Sequence, residues 1–184
     1  ILIGLVGSEM CIRDRDSPDP KIFENAFESI KLALELDSNE PEVHRIMGAL
    51  KLWHEGDHEM ARYHFEKARE LCPSDVFIIS RYAIMLIYFG EFDKALEELE
   101  RAKRLDPFSH DLLFGPEAIC HYWMDNPLEA LQTFKKVKVK KNFLFYIALA
   151  NKKSGNNDKA SENLKEAYAL TCLLYTSPSP RDQS

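Results

Sequence analysis

An alanine recurs along this chain at nearly even intervals, so whatever the chain folds into must repeat with it. Ala26, Ala61, Ala95, Ala130 and Ala160 stand 35, 34, 35 and 30 residues apart by subtraction. Four residues after each comes a large apolar side chain: Ile30, Phe65, Leu99, Phe134 and Leu164. Seven after each comes a small or branched one: Ala33, Ala68, Ala102, Val137 and Ala167. Steps of four and seven return to the same face of an α-helix, so each segment predicts a helix with one apolar stripe.

The intervals carry their own punctuation. Five residues before three of the alanines is a glycine, Gly56, Gly90 or Gly155, and Asp125 holds that place before Ala130. A residue free to adopt positive φ closes the preceding helix and permits a tight helix–helix turn. Further upstream Gly48, Ala83, Ala118 and Ala148 put a small residue mid-helix, where a partner helix can come close. Pro73 and Pro107, twelve residues after their alanines, end the second helix of a pair. Ser38 departs from that rule. Each pair cannot bury its stripe alone, so neighbouring pairs must stack.

This pattern resembles the tetratricopeptide repeat family, whose period is about 34 residues. The resemblance covers residues 20–171. It implies an all-α fold, a right-handed α-solenoid of antiparallel helix pairs, with a partial first repeat from about Pro20 to Leu36 and four pairs after it. Asp19 is the expected cap of that first helix. The segments EPEVHRIMGALKLWHEGDHEMARYHFEKARELCPSD and RLDPFSHDLLFGPEAICHYWMDNPLEAL, with the shortened link from Lys138 to Asn142, are similar to the repeats of bacterial class III adenylate cyclases and related transcription regulators.

The two ends follow a different logic. Val6 to Asp14 can be encoded by a DNA word whose reverse complement, shifted in frame, reads Leu-Leu-Tyr-Thr-Ser-Pro-Ser-Pro, the letters at Leu173 to Pro180. No polypeptide property demands that relation. Residues 1–15 and 172–184 are therefore expected to be translated sequencing adapter, flanking a repeat segment over 16–171. A signal-peptide reading of the apolar N-terminus is set aside on the same ground. Array ends without a polar capping helix should leave Phe23, Phe27, Leu164, Ala167 and Tyr168 partly unprotected and allow self-association. The last native helix is expected over about 157–170.

Composition narrows the function. No run of about 18 apolar residues is present to cross a bilayer, so no membrane partner is expected. A formal charge of −6 argues against a nucleic-acid partner, which needs concentrated positive surface. Outside the tails only Cys72 and Cys120 remain; their spacing fits neither a metal site nor a disulfide framework and predicts a reducing, cytoplasmic setting. His54, His58 and His64 invite a metal reading, but Gly56 and Asp57 put the first two in a turn rather than on one helical face. Asp57 and Glu59 are what a helix N-terminus prefers, so no acid–base pair is inferred. No phosphate loop or nucleophile motif appears, and neither catalysis nor a cofactor is expected.

A protein or peptide partner is the expectation that remains. In the family the first helix of each pair lines the groove, which places Arg45, Trp53, Phe77, Ser80, Tyr88, Tyr122, Trp123 and Phe145 as candidate contacts. Aromatic side chains dominate that set, and rigid aromatic area concentrates binding energy. The lysine and asparagine ring with which some members clamp a terminal carboxylate is not carried over, since Ala49, Ile84, Gly115 and Ile119 stand among its positions. The run FKKVKVKKN at Phe134 to Asn142 could meet an acidic partner or be a solvated helix end.

Overall fold

The computed structural model describes residues 20–108 and 110–176. It divides into two compact units, one ending at Phe89 and the other beginning at Gly90. Every described element is helical. Unit 1 holds α1 (Pro20–Leu36), α2 (Pro41–Leu50), a π turn (Lys51–Glu55), α3 (His58–Leu71) and α4 (Val76–Tyr88). Unit 2 holds α5 (Phe92–Leu105), α6 (His110–Trp123), α7 (Pro127–Phe134), a 3-10 turn (Lys140–Phe143), α8 (Leu144–Lys153) and α9 (Asn157–Thr176).

Local chemistry starts and stops these helices where the pattern requires. Pro41 and Pro127 enter α2 and α7 at the first turn, where a missing N–H costs nothing. Asp57 caps α3 by accepting from the Met60 amide at 3.1 Å, and Asp75 caps α4 by accepting from the Ile78 amide at 3.0 Å. The expected turn residues all adopt the left-handed conformation: Gly56 at φ 69°, Gly90 at 76°, Gly155 at 80° and Asp125 at 65°. Asp125 is the only non-glycine with positive φ among the described residues. A short polar side chain tolerates that region better than most.

The π turn accounts for an irregularity in the repeat. Gly48 precedes Ala61 by 13 residues, whereas Ala83, Ala118 and Ala148 precede their alanines by 12. The π turn at Lys51–Glu55 takes up the one additional residue, so α3 still presents Ala61 to α2.

The stripe is the core. Ala26, Ala61, Ala95, Ala130 and Ala160 are all buried, as are Ile30, Phe65, Leu99 and Phe134. In unit 1, Ile30 and Ala33 of α1 pack with Val43, Ile46, Met47 and Leu50 of α2. Gly48 leaves room for the Phe65 ring: a Cβ built there would lie 2.9 Å from it. In unit 2, Ala118, Ala130, Phe134, Val137 and Ala150 form the core, with Phe143 packed against it. Gly115 is the receptor for Phe143, since a Cβ there would meet the ring at 2.1 Å. Pro116 follows it within α6.

Two expectations about the ends need correcting. α9 continues to Thr176 rather than stopping near Leu170, and the sequence offers no glycine or proline to stop it before Pro178. Ala167 is buried, because it lies seven residues after Ala160 on the same stripe, while Leu164 and Tyr168 are exposed as expected. Phe27 is half-buried. The side chain of Phe23, the cap Asp19 and most of both tails lie outside the described residues. Among the described residues no helix is long and apolar enough to cross a membrane.

Candidate partner-binding faces

The eight candidate residues sort by exposure into three groups. Trp53 (40%), Tyr88 (53%), Trp123 (54%) and Phe145 (45%) present open aromatic surface. Phe77 and Tyr122 are half-buried, and Arg45 and Ser80 are closed off. Helix register explains the open set: Tyr88 and Trp123 each stand two residues before a turn residue and Trp53 three, late in the first helix of a pair, where the opposite face is already taken by the core.

In unit 1 buried Arg45 supports half-buried Phe77. The Arg45 guanidinium is held from both sides of its fork by Glu42, Nε donating to Oε2 at 2.8 Å and Nη2 to Oε1 at 2.6 Å. So oriented, it lies 4.9 Å from the centre of the Phe77 ring, and Arg81 of α4 lies 4.6 Å from the same centre. Two guanidiniums therefore fix one phenyl ring, partly desolvated, by cation–π attraction. Tyr88 meets the edges of His58 and Phe89 at 5.7 and 5.8 Å, and Trp53 meets Phe65 edge-on at 6.2 Å.

Unit 2 builds its face from rings. Tyr122 packs edge-on against Trp123 at 5.2 Å and against Tyr146 at 6.1 Å. The Lys153 ammonium sits 5.0 Å from the Tyr122 ring centre and is held by the Asp125 carboxylate at 2.6 Å, so the turn residue also orients a cation over the face. Phe145 meets Tyr168 of α9 at 5.7 Å. Away from that face, Lys103 bridges Glu100 at 2.6 Å and Glu117 at 2.7 Å. Burial works to lower its pKa, yet the two carboxylates prevail and hold it above the usual lysine value.

The histidines and cysteines are placed as follows. His54 and His58 are exposed near the Gly56 turn, whereas His64 is buried and bonded to His44, a residue that spacing alone did not single out. The repeat could have found it: His44 stands 17 residues before Ala61 and His64 three after, positions that face each other across a helix pair. No group of three or more His, Cys, Asp or Glu side chains is placed to hold a metal ion among the described residues. Burial first, and then Glu117, push the Cys120 thiol up to about 12, which leaves it unreactive at neutral pH. Lys135, Lys136, Lys138, Lys140 and Lys141 are exposed on the α7–α8 connection, which Val137 and Phe143 anchor from within.

Solved structures share this arrangement of helix pairs. YrrB, described as a TPR protein with an unusual peptide-binding site, superposes with a TM-score of 0.54 at 22% identity over 80% of this chain and 77% of that one. The fold is the tetratricopeptide fold. PilF from Pseudomonas aeruginosa gives a TM-score of 0.68 at 14% identity, over 91% of this chain and 74% of that chain. Residues 41 to the end of MamA from Desulfovibrio magneticus RS-1 give 0.62 at 17% identity, over 92% and 93%. No protein-family model and no curated protein sequence matches the chain. These identities carry the fold across and nothing more.

Proposed function

We propose that this chain is a non-catalytic scaffold that holds a segment of a partner protein, a peptide or an amphipathic helix, against the aromatic faces of its first helices. The observation that carries this reading is the set of open aromatic side chains: Trp53, Tyr88 and Trp123 recur near the ends of the first helices of three successive repeats, and Phe145 lies open on the first helix of the fourth. Exposed aromatic area at recurrent positions is costly in water and is the kind of surface that interfaces use as anchors. Phe77 and Tyr122 extend the contact, while Arg45 acts from beneath by positioning Phe77. The peptide-binding site named for YrrB supports the same use of the fold.

The test is a peptide selected from a random displayed library on the full chain, followed by Trp53→Ala, Tyr88→Ala and Trp123→Ala together. Loss of a single anchor typically costs about 2 kcal/mol, roughly thirtyfold in affinity, so the triple variant should lose capture while its helical circular dichroism is retained. Unchanged affinity would place the binding surface elsewhere. A second reading, the regulatory repeat region of a larger signalling protein such as a nucleotide cyclase or transcription regulator, is favoured by the short interval of 30 residues before Ala160 and its 3-10 link at Lys140–Phe143. An intact gene with a catalytic or winged-helix segment upstream of Asp16 would decide between them.

A further inference from the structure

His44 of α2 and His64 of α3 are both buried, 4% and 6% exposed, and their Nδ1 atoms are 2.9 Å apart. Nε2 of His44 is 3.0 Å from the carbonyl oxygen of Ser38, in the connection between α1 and α2. A carbonyl only accepts, so Nε2 of neutral His44 carries the hydrogen and its Nδ1 is bare. His64 must then donate its Nδ1–H to that atom, which leaves Nε2 of His64 as the bare nitrogen of the couple. One tautomer of each ring is selected, and three segments of unit 1 are tied together by two hydrogen bonds.

Two nitrogens of the couple are open to a proton, Nε2 of His64 and Nδ1 of His44. A proton on Nε2 of His64 makes an imidazolium that still donates from Nδ1, but its charge is buried and faces the Lys51 ammonium from the π turn. A proton on Nδ1 of His44 sets two N–H groups against each other and removes the bond. The groups facing His64 are His44 from α2, Lys51 from the π turn and, on α3 itself, Tyr63, whose ring centre is 5.1 Å away. None of these is an anion, and the nearby carboxylate of Glu55 is taken up by Lys51 at 2.6 Å. We propose that the His44–His64 couple is an acid-operated latch, closed at neutral pH and opened by mild acid, that loosens unit 1 independently of unit 2.

Unit 2 supplies the control. At the positions corresponding to His44, four before the small mid-helix residue, and His64, three after the alanine, it carries Phe114 with Thr133, and Leu144 with Asn163, none of which titrates. Burial above all, then His44 and Lys51, lower the pKa of His64 from its ordinary 6.5 to about 4. Linkage then makes opening roughly twentyfold more favourable at pH 5 than at pH 7. Resting on the reading of α2 and α4 as a partner-holding face, opening also frees a bound segment, because α2 carries Arg45 beneath Phe77. The test below uses no partner, so it judges the latch apart from that reading.

Amide hydrogen exchange on the full chain, corrected for intrinsic rates, is measured at pH 7 and pH 5. Protection in α2 and α3 should fall by about twentyfold while that in α6 to α8 holds. His44→Leu with His64→Asn, which copies the Leu144 and Asn163 pairing, should abolish the acid response. Should that variant not fold, nitrogen NMR of the imidazoles in the unaltered chain decides: the hydrogen should be on Nε2 of His44 and Nδ1 of His64, with neither ring charged at pH 7. Equal loosening of both units, an unchanged exchange pattern at pH 5, an acid response that survives the double substitution, or a charged ring at pH 7 would each overturn the proposal.

Discussion

The two units solve the same packing problem with different side chains. Unit 1 turns from α2 into α3 on Gly56, locks that pair with hydrogen-bonded imidazoles and opens a slot at Gly48 for Phe65. Unit 2 turns from α6 into α7 on Asp125, puts neutral side chains where the imidazoles were and opens its slot at Gly115 for Phe143, which arrives from the following link rather than from the paired helix. Asn151 of α8 donates to Asn163 of α9 at 3.3 Å, a bond that does not depend on pH in the neutral range. A repeat thus fixes where a small residue, a turn and a cross-helix contact must be, and leaves open which chemistry fills each place.

The largest difference should come from removing a plug. Phe65→Ala empties a fully buried ring site in unit 1 and should cost about 3–5 kcal/mol, with hydrogen exchange rising in α2 and α3 before α8 and α9. Parallel loss in both units would mean that they unfold as one cooperative body. Filling a slot should cost less. Gly115→Ala forces the Phe143 ring away and should destabilise unit 2 by about 1–3 kcal/mol; thermal melting should show a greater loss than for Gly48→Ala, where the predicted approach is less severe.

Acid should separate the units next. The folded pKa of His64, about 4, lies below its ordinary 6.5, so the unfolded chain takes up the proton first as pH falls. Stability of unit 1 is therefore full above pH 6.5 and declines progressively toward pH 4, by about 2 kcal/mol between pH 7 and 5. Urea titrations at the two pH values check this. The turns should give the smallest effect and opposite signs. Gly56→Ala places a Cβ at φ 69° and should cost about 1 kcal/mol, whereas Asp125→Gly relieves φ 65° and loses only an exposed ion pair to Lys153, leaving stability unchanged or raised by up to about 1 kcal/mol. A marked loss in the second case would show that the ion pair, not the backbone, governs that turn.

The sequence by itself determined the helix pairs, their boundaries and their buried stripe. Those features depend on residues within about one helix pair of each other: an alanine with its partners at four and seven, a turn residue five before it, a proline after it. The register that buries Ala83 and Ala118 also exposes Tyr88 and Trp123, whereas the candidate face as a whole came from the family resemblance, which named buried Arg45 and Ser80 beside them. What only the tertiary structure decided was how side chains from separate helices meet. Glu42 and Arg45 are three apart on α2, but that the guanidinium is buried and props a ring depends on Phe77 arriving from α4, and its charge gave no sign of it in the sequence. The additional residue before Ala61 could have become a bulge or a longer turn, and packing of Ala61 and Phe65 on α2 selected the π turn. His44 and His64 are 20 residues apart and ordinary as letters; they became a hydrogen-bonded couple because antiparallel helices bring two buried rings together where only one nitrogen of the pair can hold the proton between them.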